Sequence, residues 1–298
     1  MKILVTGGTV FVSKYTAEYF VKRGDEVFVL NRGRHSQIKG VTLIEGDRNH
    51  LDGQLGHSVF DAVIDVTAYT SKDVDNLLDS GVSFRNYILI SSSAVYPESA
   101  QQPFSEETPL GPNQFWGAYG TGKTEAEAAL AKRVSNAYIL RPPYLYGPYN
   151  NVYREAFVFD CAAKNRKFYL PKDGEMKLQF FHVEDLCRFI DILLEKEPQQ
   201  HIFNVGNETS VSIREWAALC YRTAGKEASF VSVNADIPQR KYFSFYDYEY
   251  FLNVQKQRQY LPETKPLAEG LQEAYLWYMQ NTDSVNRKPY FAFIDENL

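Results

Sequence analysis

The sequence predicts an α/β fold: a doubly wound parallel sheet with a smaller, sequence-interleaved α+β lobe. Short apolar runs such as "KILVT" and "YILI" are nearly continuous, as in strands that are buried on both faces of a sheet. Helix-like segments alternate with these runs through the first half of the chain, which is the pattern of a parallel sheet. From Gly147 onward the sequence is more aromatic and less regular, which indicates a second lobe.

The elements of the larger lobe follow in order. "KILVTGG" predicts a strand and tight turn, and "TVFVSKYTAEYFVKRG" predicts a helix that stops at Gly24. Strands are predicted in "DEVFVLNRG", "VTLIEGDR", "FDAVIDVTAY" and "RNYILISSSAVY", with a helix in "KDVDNLLDSG" before the last of them. "YGTGKTEAEAALAKR" is rich in helix formers, and Pro142 and Pro143 end the regular strand that follows it.

Two later segments are predicted to return to the larger lobe. "QFFHVEDLCRFIDILLEKE" has the pattern of a helix, and "HIFNVGN" has that of a strand. We therefore assign residues 1–146 and about 178–206 to the larger lobe. Residues of about 147–177 and 207–298 are assigned to a substrate-binding lobe.

Composition limits the classes of partner. The formal net charge is -5 with acids and bases interspersed, so there is no basic surface to hold nucleic acid. The three cysteines, Cys161, Cys187 and Cys220, lie far apart without CxxC spacing, which favours a reducing cytoplasm. The N-terminus has no apolar leader, and no run approaches the roughly 18 apolar residues of a membrane span. A cytoplasmic protein without membrane contact is expected.

The first strand-to-helix turn, "VTGGTVFVS", lies where backbone amides and the helix dipole favour a pyrophosphate. The three-glycine dinucleotide fingerprint would place glycines after Gly7 at positions 10 and 13, but the chain has Val10 and Ser13. The position of the turn still predicts a Rossmann dinucleotide-binding domain; a turn that only reverses the chain is the alternative. The predicted cofactor contacts of this turn are Gly7, Gly8, Thr9, Val10, Phe11 and Val12.

The end of the second strand bears on the choice between NAD and NADP. A carboxylate there would bind the ribose hydroxyls of NAD, whereas Asn31 is followed by Arg32 and, two residues on, Arg34. NADP is favoured over NAD, unless both arginines are merely solvated. Asp47 is a candidate contact of the adenine amino group, with a surface turn as the alternative. The further predicted cofactor contacts are Arg48, Thr67, Ala68 and Pro142.

Tyr119 and Lys123 are four residues apart and project from one face of a helix. An ammonium near a phenol stabilises phenolate, and bringing a tyrosine pKa from about 10 to near 7 requires roughly 4 kcal/mol. Such a phenolate would be a general base for a sugar or alcohol hydroxyl. A serine at the end of "ISSS" would hold the substrate oxygen beside it. A helix start with an incidental tyrosine and lysine is the alternative.

Together these motifs resemble the extended short-chain dehydrogenase/reductases, also called NAD-dependent epimerase/dehydratases. The resemblance covers nearly the whole chain and rests on "ILVTGGTVFVS", "ISSSAVY", "YGTGK", "LRPPYLYGP", "FFHVEDL" and "FNVGNETSVSIREWA" in the family's order. It implies that Tyr119 is the acid/base, Lys123 its activator and ribose ligand, and Ser92 the hydroxyl partner, with Ser93 as the fallback. In this family the helix around "TEAEAALAKR" often packs in a dimer, which suggests a homodimer.

Two departures from the family narrow the expected reaction. Dehydratases carry an Asp-Glu pair after the hydroxyl residue, where this chain has Ser93 and Ala94. Ala94 also replaces the cysteine of members that epimerise and reduce GDP-sugars. The resemblance further implies that Ser93, Asn150, Arg154 and Gln179 contact a nucleotide sugar, each with a surface role as the alternative, and that His182 is structural.

The leading hypothesis is therefore an NAD(P)-dependent epimerase of a nucleotide-linked sugar, with no metal. The alternatives are an NADP-dependent carbonyl reductase and, because of Val10 and Ser13, a non-catalytic dinucleotide-binding regulatory protein. The segments "TGGT", "NRG" and "YREAFVFD" also resemble a subgroup that contains chloroplast stem-loop-binding proteins. The acidic charge balance argues against transferring RNA binding to this chain.

Overall fold

A computed structural model describes residues 1–51 and 53–298. Its strands are β1 (Lys2–Thr6), β2 (Glu26–Asn31), β3 (Val41–Glu45), β4 (Val59–Asp65), β5 (Ser83–Ile90), β6 (Tyr138–Arg141), β7 (Tyr144–Tyr146), β8 (Phe168–Pro171), β9 (Lys177–Leu178), β10 (Phe180–His182), β11 (Ile202–Asn204), β12 (Val211–Ser212) and β13 (Phe230–Val233). Its α-helices are α1 (Phe11–Arg23), α2 (Ser71–Asp79), α3 (Gly117–Arg133), α4 (Glu155–Ala163), α5 (Val183–Lys196), α6 (Ile213–Thr223), α7 (Gln255–Arg258), α8 (Leu267–Gln280) and α9 (Tyr290–Asn297).

The larger lobe is built on a parallel sheet of seven strands in the order β11-β6-β5-β4-β1-β2-β3. Strand β1 pairs with β2 on one side and with β4 on the other, so the direction of winding reverses between β1 and β4. Ligands of doubly wound sheets bind beyond the carboxyl ends of the strands at such a reversal. The predicted fold class is confirmed.

Helices cover both faces of this sheet. On one face α1 and α5 pack against it, and Phe20 and Phe189 belong to the same buried cluster. On the other face α2 and α3 pack side by side, and Val74 and Leu130 share a second cluster. Burial on both faces explains why the strands are almost continuously apolar.

The proline pair divides one predicted strand into β6 and β7. Strand β6 stays in the main sheet, whereas β7 pairs with β10, because proline cannot supply the ladder hydrogen bonds. Strand β11 lies at the edge of the main sheet beside β6, as expected for "HIFNVGN". The exact division of the chain into two lobes remains a prediction.

Apart from α5 and β11, most segments after β7 contribute to a separate, aromatic core. Helices α4, α6 and α8 pack there with the paired strands β8 and β13. Trp216 stacks on Phe180 with ring centroids 5.9 Å apart. All three cysteines are buried as free thiols, and none of the helices in the described residues is long and apolar enough to cross a membrane.

Candidate active site

A cavity of about 490 Å³ lies at the carboxyl ends of the central strands; we call it the central cavity. The sequence-predicted residues that line it are Gly7, Thr9, Val10, Phe11, Val12, Thr67, Ser92, Tyr119, Lys123, Pro142 and Arg154. They come from six separate parts of the chain that meet at this edge of the sheet. The Ser, Tyr and Lys of the predicted catalytic set thus share one cavity.

Tyr119 lies in the first turn of α3 with 42% of its surface exposed to the cavity. The protein around the phenol removes water from it, and this burial raises the pKa of Tyr119, against the lowering effect of a hydrogen bond with Ser92. The Ser92 oxygen also accepts a hydrogen bond from the Ala94 backbone at 3.2 Å. The Ser92 hydroxyl is therefore held close to the phenol that it is predicted to assist.

Lys123 is buried below Tyr119, and its ammonium donates to the backbone oxygens of Ala68 at 2.7 Å and Ile90 at 2.8 Å. Burial lowers the pKa of Lys123 to about 8, and the charge of Asp65 opposes this change. Lys123 is not among the groups that shift the pKa of Tyr119 in the protein chain alone, and its effect on the phenol with the cofactor bound stays a prediction. The Lys123 ammonium is bonded to two backbone carbonyl oxygens, and the largest influence on the pKa of the Tyr119 phenol is its own burial.

The glycines of "YGTGK" bring two loops onto α3. A Cβ on Gly120 would lie 2.4 Å from the backbone oxygen of Ala94, and one on Gly122 would lie 2.4 Å from that of Tyr69. Only a residue without a side chain permits such approaches. The two loops therefore press on the helix on either side of Tyr119, which fixes the helix relative to β4 and β5.

Arg48 belongs to a buried network beneath the cavity. Its guanidinium donates to both oxygens of Asp65, at 2.6 and 2.5 Å, and to the Thr67 hydroxyl at 3.0 Å. Asp65 is fully buried and also accepts from Thr6 and Tyr87. Against the cost of burial, Arg48 holds the pKa of this carboxyl below its usual range. Arg48 thus positions the segment after β4 and does not line the central cavity, in contrast to the predicted cofactor contact.

Five other predicted cofactor residues also lie outside the lining. Gly8 packs on Val29, and the Asn31 amide donates to the Gly7 oxygen at 2.7 Å. Arg32 is exposed, and Asp47 is a surface residue that accepts from the Asn49 backbone at 2.9 Å. The fifth, Ala68, contributes the backbone oxygen that holds Lys123.

The glycine turn itself fits a dinucleotide. Gly7 has φ +94°, and a Cβ there would lie 2.8 Å from the Ser13 hydroxyl, so Ser13 fills the space beside it. Val10 is extended and 45% exposed, and it lines the central cavity. The first turn of α1 contains no acidic residue, which leaves its amides free of a competing carboxylate. Gly7 through Val12 would hold the pyrophosphate of the bound cofactor.

The predicted substrate contacts separate into two groups. Arg154 lines the central cavity, with its guanidinium 5.4 Å from the centre of the Tyr144 ring. By contrast, Ser93 donates to Tyr250, and the Asn150 amide donates to Glu155 at 2.7 Å. The Gln179 amide is bonded to the Leu252 and Asn207 backbones. These three buried side chains are engaged in holding loops together and do not line the cavity.

His182 is completely buried and accepts from the Glu184 amide at the start of α5. Burial lowers its pKa to about 3, with the charge of Lys265 adding to the effect. Glu273 lies 3.5 Å from its Nε2, but the Lys265 ammonium already bonds to Glu184 and Glu273. His182 is therefore neutral and lies apart from the central cavity.

Tyr69, Asn151 and Val152 are among the lining residues that sequence reasoning missed; the others are Ser13, Val66, Ile90, Ser91, Pro143 and Leu145. Tyr69 follows the predicted contacts Thr67 and Ala68, so its place after β4 was an available signal. Its ring is 52% exposed and lies 4.8 Å from the Lys123 ammonium. Asn151 adjoins the predicted Asn150, and only the turn after β7 decides which of the two faces the cavity.

Comparison with known proteins gives a consistent result. Residues 3–206 match the NAD dependent epimerase/dehydratase family. The chain is 30% identical over 300 residues to the chloroplast stem-loop binding protein of 41 kDa b from Arabidopsis thaliana, covering 92% of this chain and 78% of that protein. Its fold is similar to that of a Bacillus anthracis dTDP-glucose 4,6-dehydratase in complex with NAD, with a TM-score of 0.76, 20% identity, and coverage of 96% and 98% of the two chains. A Bacillus cereus UDP-glucuronic acid 4-epimerase in complex with UDP-glucuronic acid and NAD gives a TM-score of 0.73, 20% identity, and coverage of 94% and 99%.

Proposed function

The chain belongs to the NAD dependent epimerase/dehydratase family, and on this premise we propose that it is an NAD(P)-dependent epimerase of a nucleotide-linked sugar. The observation that carries the proposal is the meeting of Ser92, Tyr119 and Lys123 in one cavity beside the glycine turn. Hydroxyl, phenol and ammonium groups can remove and return the proton of one sugar hydroxyl, while the bound dinucleotide would accept and return the hydride of the same carbon. That is the requirement of an epimerase.

The residues after Ser92 speak against a dehydratase. Loss of water needs an additional acid and base, which relatives with that activity carry as an Asp-Glu pair. In this chain the Ser93 hydroxyl is bonded to Tyr250 at 3.0 Å, and Ala94 is buried with only a methyl group. Neither residue offers a proton to a leaving hydroxyl.

In the proposed reaction Tyr119 takes the proton of the sugar hydroxyl and later returns it. Ser92 orients the same oxygen, and the phenol and serine hydroxyls are already close enough to interact. The bound dinucleotide would supply the hydride acceptor and donor, and its oxidised ring would add a positive charge beside the phenol. Because burial raises the pKa of Tyr119 in the chain alone, efficient proton removal is expected only with the cofactor in place.

Lys123 has a supporting part in this proposal. Its two carbonyl contacts tie α3 to the ends of β4 and β5, so the ammonium keeps Tyr119 at a constant depth in the cavity. Lys123 also places a cation in the lining of the central cavity, where it is the candidate ligand of the cofactor ribose. Arg154, from the turn before α4, is the candidate for the negative charge of the substrate diphosphate.

The test begins with the cofactor. Purified protein is denatured without added dinucleotide, and any released NAD or NADP is identified by mass spectrometry. The intact protein is then incubated with UDP-, dTDP- and GDP-sugars, and inversion at one carbon is followed by chromatography and proton NMR. We expect a stoichiometric dinucleotide and an epimer without net cofactor consumption.

Two variants make the result specific. Tyr119→Phe should reduce turnover by at least about 10²-fold, the lower end for loss of general acid-base catalysis. Tyr169→Phe removes a phenol from strand β8, away from the central cavity, and should retain activity. Full turnover in Tyr119→Phe would contradict the mechanism.

An NADP-dependent carbonyl reductase is the second candidate. The exposed Arg32, without a carboxylate at the end of β2, favours it because this arrangement suits a phosphorylated cofactor. Stoichiometric consumption of NADPH would identify a reductase. Dinucleotide binding without turnover of any sugar or carbonyl compound would instead support a regulatory protein.

A further inference from the structure

A second cavity, of about 270 Å³, lies on the other side of the glycine turn; we call it the outer cavity. It shares Thr9, Val10, Phe11 and Asn151 with the central cavity. Its far wall is formed by Trp277 in α8 together with the segment that follows this helix. The outer cavity thus continues the predicted dinucleotide site toward the second lobe.

The charge of the outer cavity is positive. Lys14 and His35 are the basic side chains that line it, and its described lining contains no carboxylate. The Lys14 ammonium lies 4.5 Å from the centre of the Tyr149 ring. Glu18, one turn along the helix, is paired with Lys22 at 3.3 Å. Within the described residues, no carboxylate lies within 4.0 Å of the Lys14 ammonium, so its charge is available to an anion.

The second basic residue, His35, sits on a loop that is held in place. The Asn31 amide donates to Gln37 at 3.0 Å, and the Gln37 amide donates to the His35 backbone oxygen at 2.7 Å. Asn31 also donates to the Gly7 oxygen, which connects this loop to the glycine turn. The start of α1 and the loop after β2 therefore present Lys14 and His35, 21 positions apart in the chain, to one space.

The remaining wall is suited to a phosphate that is attached to a flat ring system. Trp277 packs edge to face on Tyr149, with ring centroids 6.1 Å apart. The Asn281 amide bonds to the Trp277 backbone at 2.8 Å, which closes the end of α8 over the cavity. Thr9 and Ser284 add hydroxyl groups at the rim.

Arg32 is directed to a different neighbour. It is exposed, does not line the outer cavity, and its charge helps to lower the pKa of Asp47 after the main effect of the Asn49 backbone amide. A phosphate at Arg32 would have to approach that carboxylate. The same anion in the outer cavity would meet the Lys14 ammonium and the His35 imidazole, and no acid in its described lining.

We propose that the outer cavity binds the 2'-phosphate of an adenine dinucleotide, with Lys14 as its cationic contact and the imidazole of His35 as a second hydrogen-bond donor. The inference rests on the proposed dinucleotide site and assigns the preference for NADP to these residues in place of Arg32. Because Trp277 closes the cavity, a phosphorylated dinucleotide is held by both lobes. The discrimination arises from charge, since a free ribose hydroxyl would leave the Lys14 ammonium without a partner.

The test compares two fragments of the dinucleotide, 2',5'-ADP and 5'-AMP, which differ only in the 2'-phosphate. Their dissociation constants are measured by calorimetry on the full chain, first freed of endogenous dinucleotide, at low salt. Wild type is expected to bind 2',5'-ADP at least about tenfold more tightly, the ratio expected from one charge-assisted contact. Lys14→Met should abolish that preference and leave the affinity for 5'-AMP unchanged. The control Lys39→Met removes an exposed charge from the segment between β2 and β3, outside the cavity lining, and should keep it.

Each other outcome overturns the inference. Equal weakening of both fragments by Lys14→Met would mean that the cavity serves the 5'-phosphate. Loss of the preference in Arg32→Met would put the 2'-phosphate at the end of β2. A wild-type protein that does not distinguish the fragments has no such site. These readouts need no turnover, so an active epimerase without the preference would refute this inference while leaving the proposed function intact.

Discussion

Replacing Arg48 by methionine tests the ion pair beneath the central cavity. The change removes a guanidinium with nitrogens 2.6 and 2.5 Å from the two Asp65 oxygens, and it leaves that carboxylate fully buried. Breaking a buried pair from one side costs about 3–5 kcal/mol, because an uncompensated charge remains. We expect the free energy of unfolding at pH 7, measured with urea, to fall by about this amount.

The loss has an upper bound, because Asp65 can take up a proton and keep its hydrogen bonds to Thr6 and Tyr87. Protonating a carboxyl with an unfolded pKa of about 3.9 costs about 4.2 kcal/mol at pH 7 and about 1.5 kcal/mol at pH 5. In the variant, burial raises the folded pKa of Asp65 above the unfolded value, so its native state binds the extra proton and becomes more stable as the pH falls. In wild type the pKa of Asp65 is held low, and this carboxyl adds no slope between pH 5 and 7. The two proteins should therefore converge by up to about 2.7 kcal/mol over that range.

A double variant completes the test. Arg48→Met with Asp65→Asn removes both charges and should recover at least about 2 kcal/mol of the loss at pH 7. Arg34→Met, at an exposed position, is the matched control and should change stability by less than about 0.5 kcal/mol. The reasoning is refuted if Arg48→Met leaves stability unchanged while weakening dinucleotide binding, since Arg48 would then contact the cofactor.

Three further predictions concern the cavity walls and the lobe junction. Gly122→Ala should lower the free energy of unfolding in urea by about 1–3 kcal/mol, because its Cβ would lie 2.4 Å from the Tyr69 backbone oxygen. Thr121→Ala, at an exposed position, is the control. A Gly122→Ala variant as stable as wild type would argue against the close approach. Tyr69→Leu should lower the pKa of Lys123 from about 8 by about half a pH unit, because the aromatic ring 4.8 Å away stabilises the ammonium. Tyr69→Phe keeps the ring and should leave that pKa unchanged. The pKa of Lys123 in each variant is measured by amine labelling as a function of pH, read by mass spectrometry. Burial lowers the pKa of His182 to about 3, so between about pH 6.5 and pH 3 only the unfolded state takes up this proton. Within that window the free energy of unfolding of wild type, relative to His182→Asn, should fall by about 1.4 kcal/mol for each unit by which the pH is lowered. Parallel pH dependence of wild type and His182→Asn in urea unfolding would contradict that assignment.

Much of the architecture was readable from local patterns. Continuous apolar strands and their alternation with helices specified the parallel sheet, because a strand that is covered on both faces must be apolar throughout. The proline pair marked the division between β6 and β7, since proline lacks the amide that the ladder requires. Spacing along one helix was enough to place Tyr119 and Lys123 on a common face.

The electrostatic roles depended on partners that are distant in sequence. Lys123 bonds to the Ala68 carbonyl, 55 residues away, and this contact explains why it does not control the pKa of Tyr119. Arg48 looked like a cofactor contact until the fold brought it to Asp65, a buried carboxylate that leaves the guanidinium no freedom to turn toward the cavity. The sequence by itself determined the sheet, the glycine turn and the order of the Ser, Tyr and Lys residues, because these follow from periodicity and spacing. Tertiary structure alone decided which polar groups face the cavity and which are hydrogen-bonded to one another. The reason is that hydrogen bonding and burial are set by contacts between separate parts of the chain.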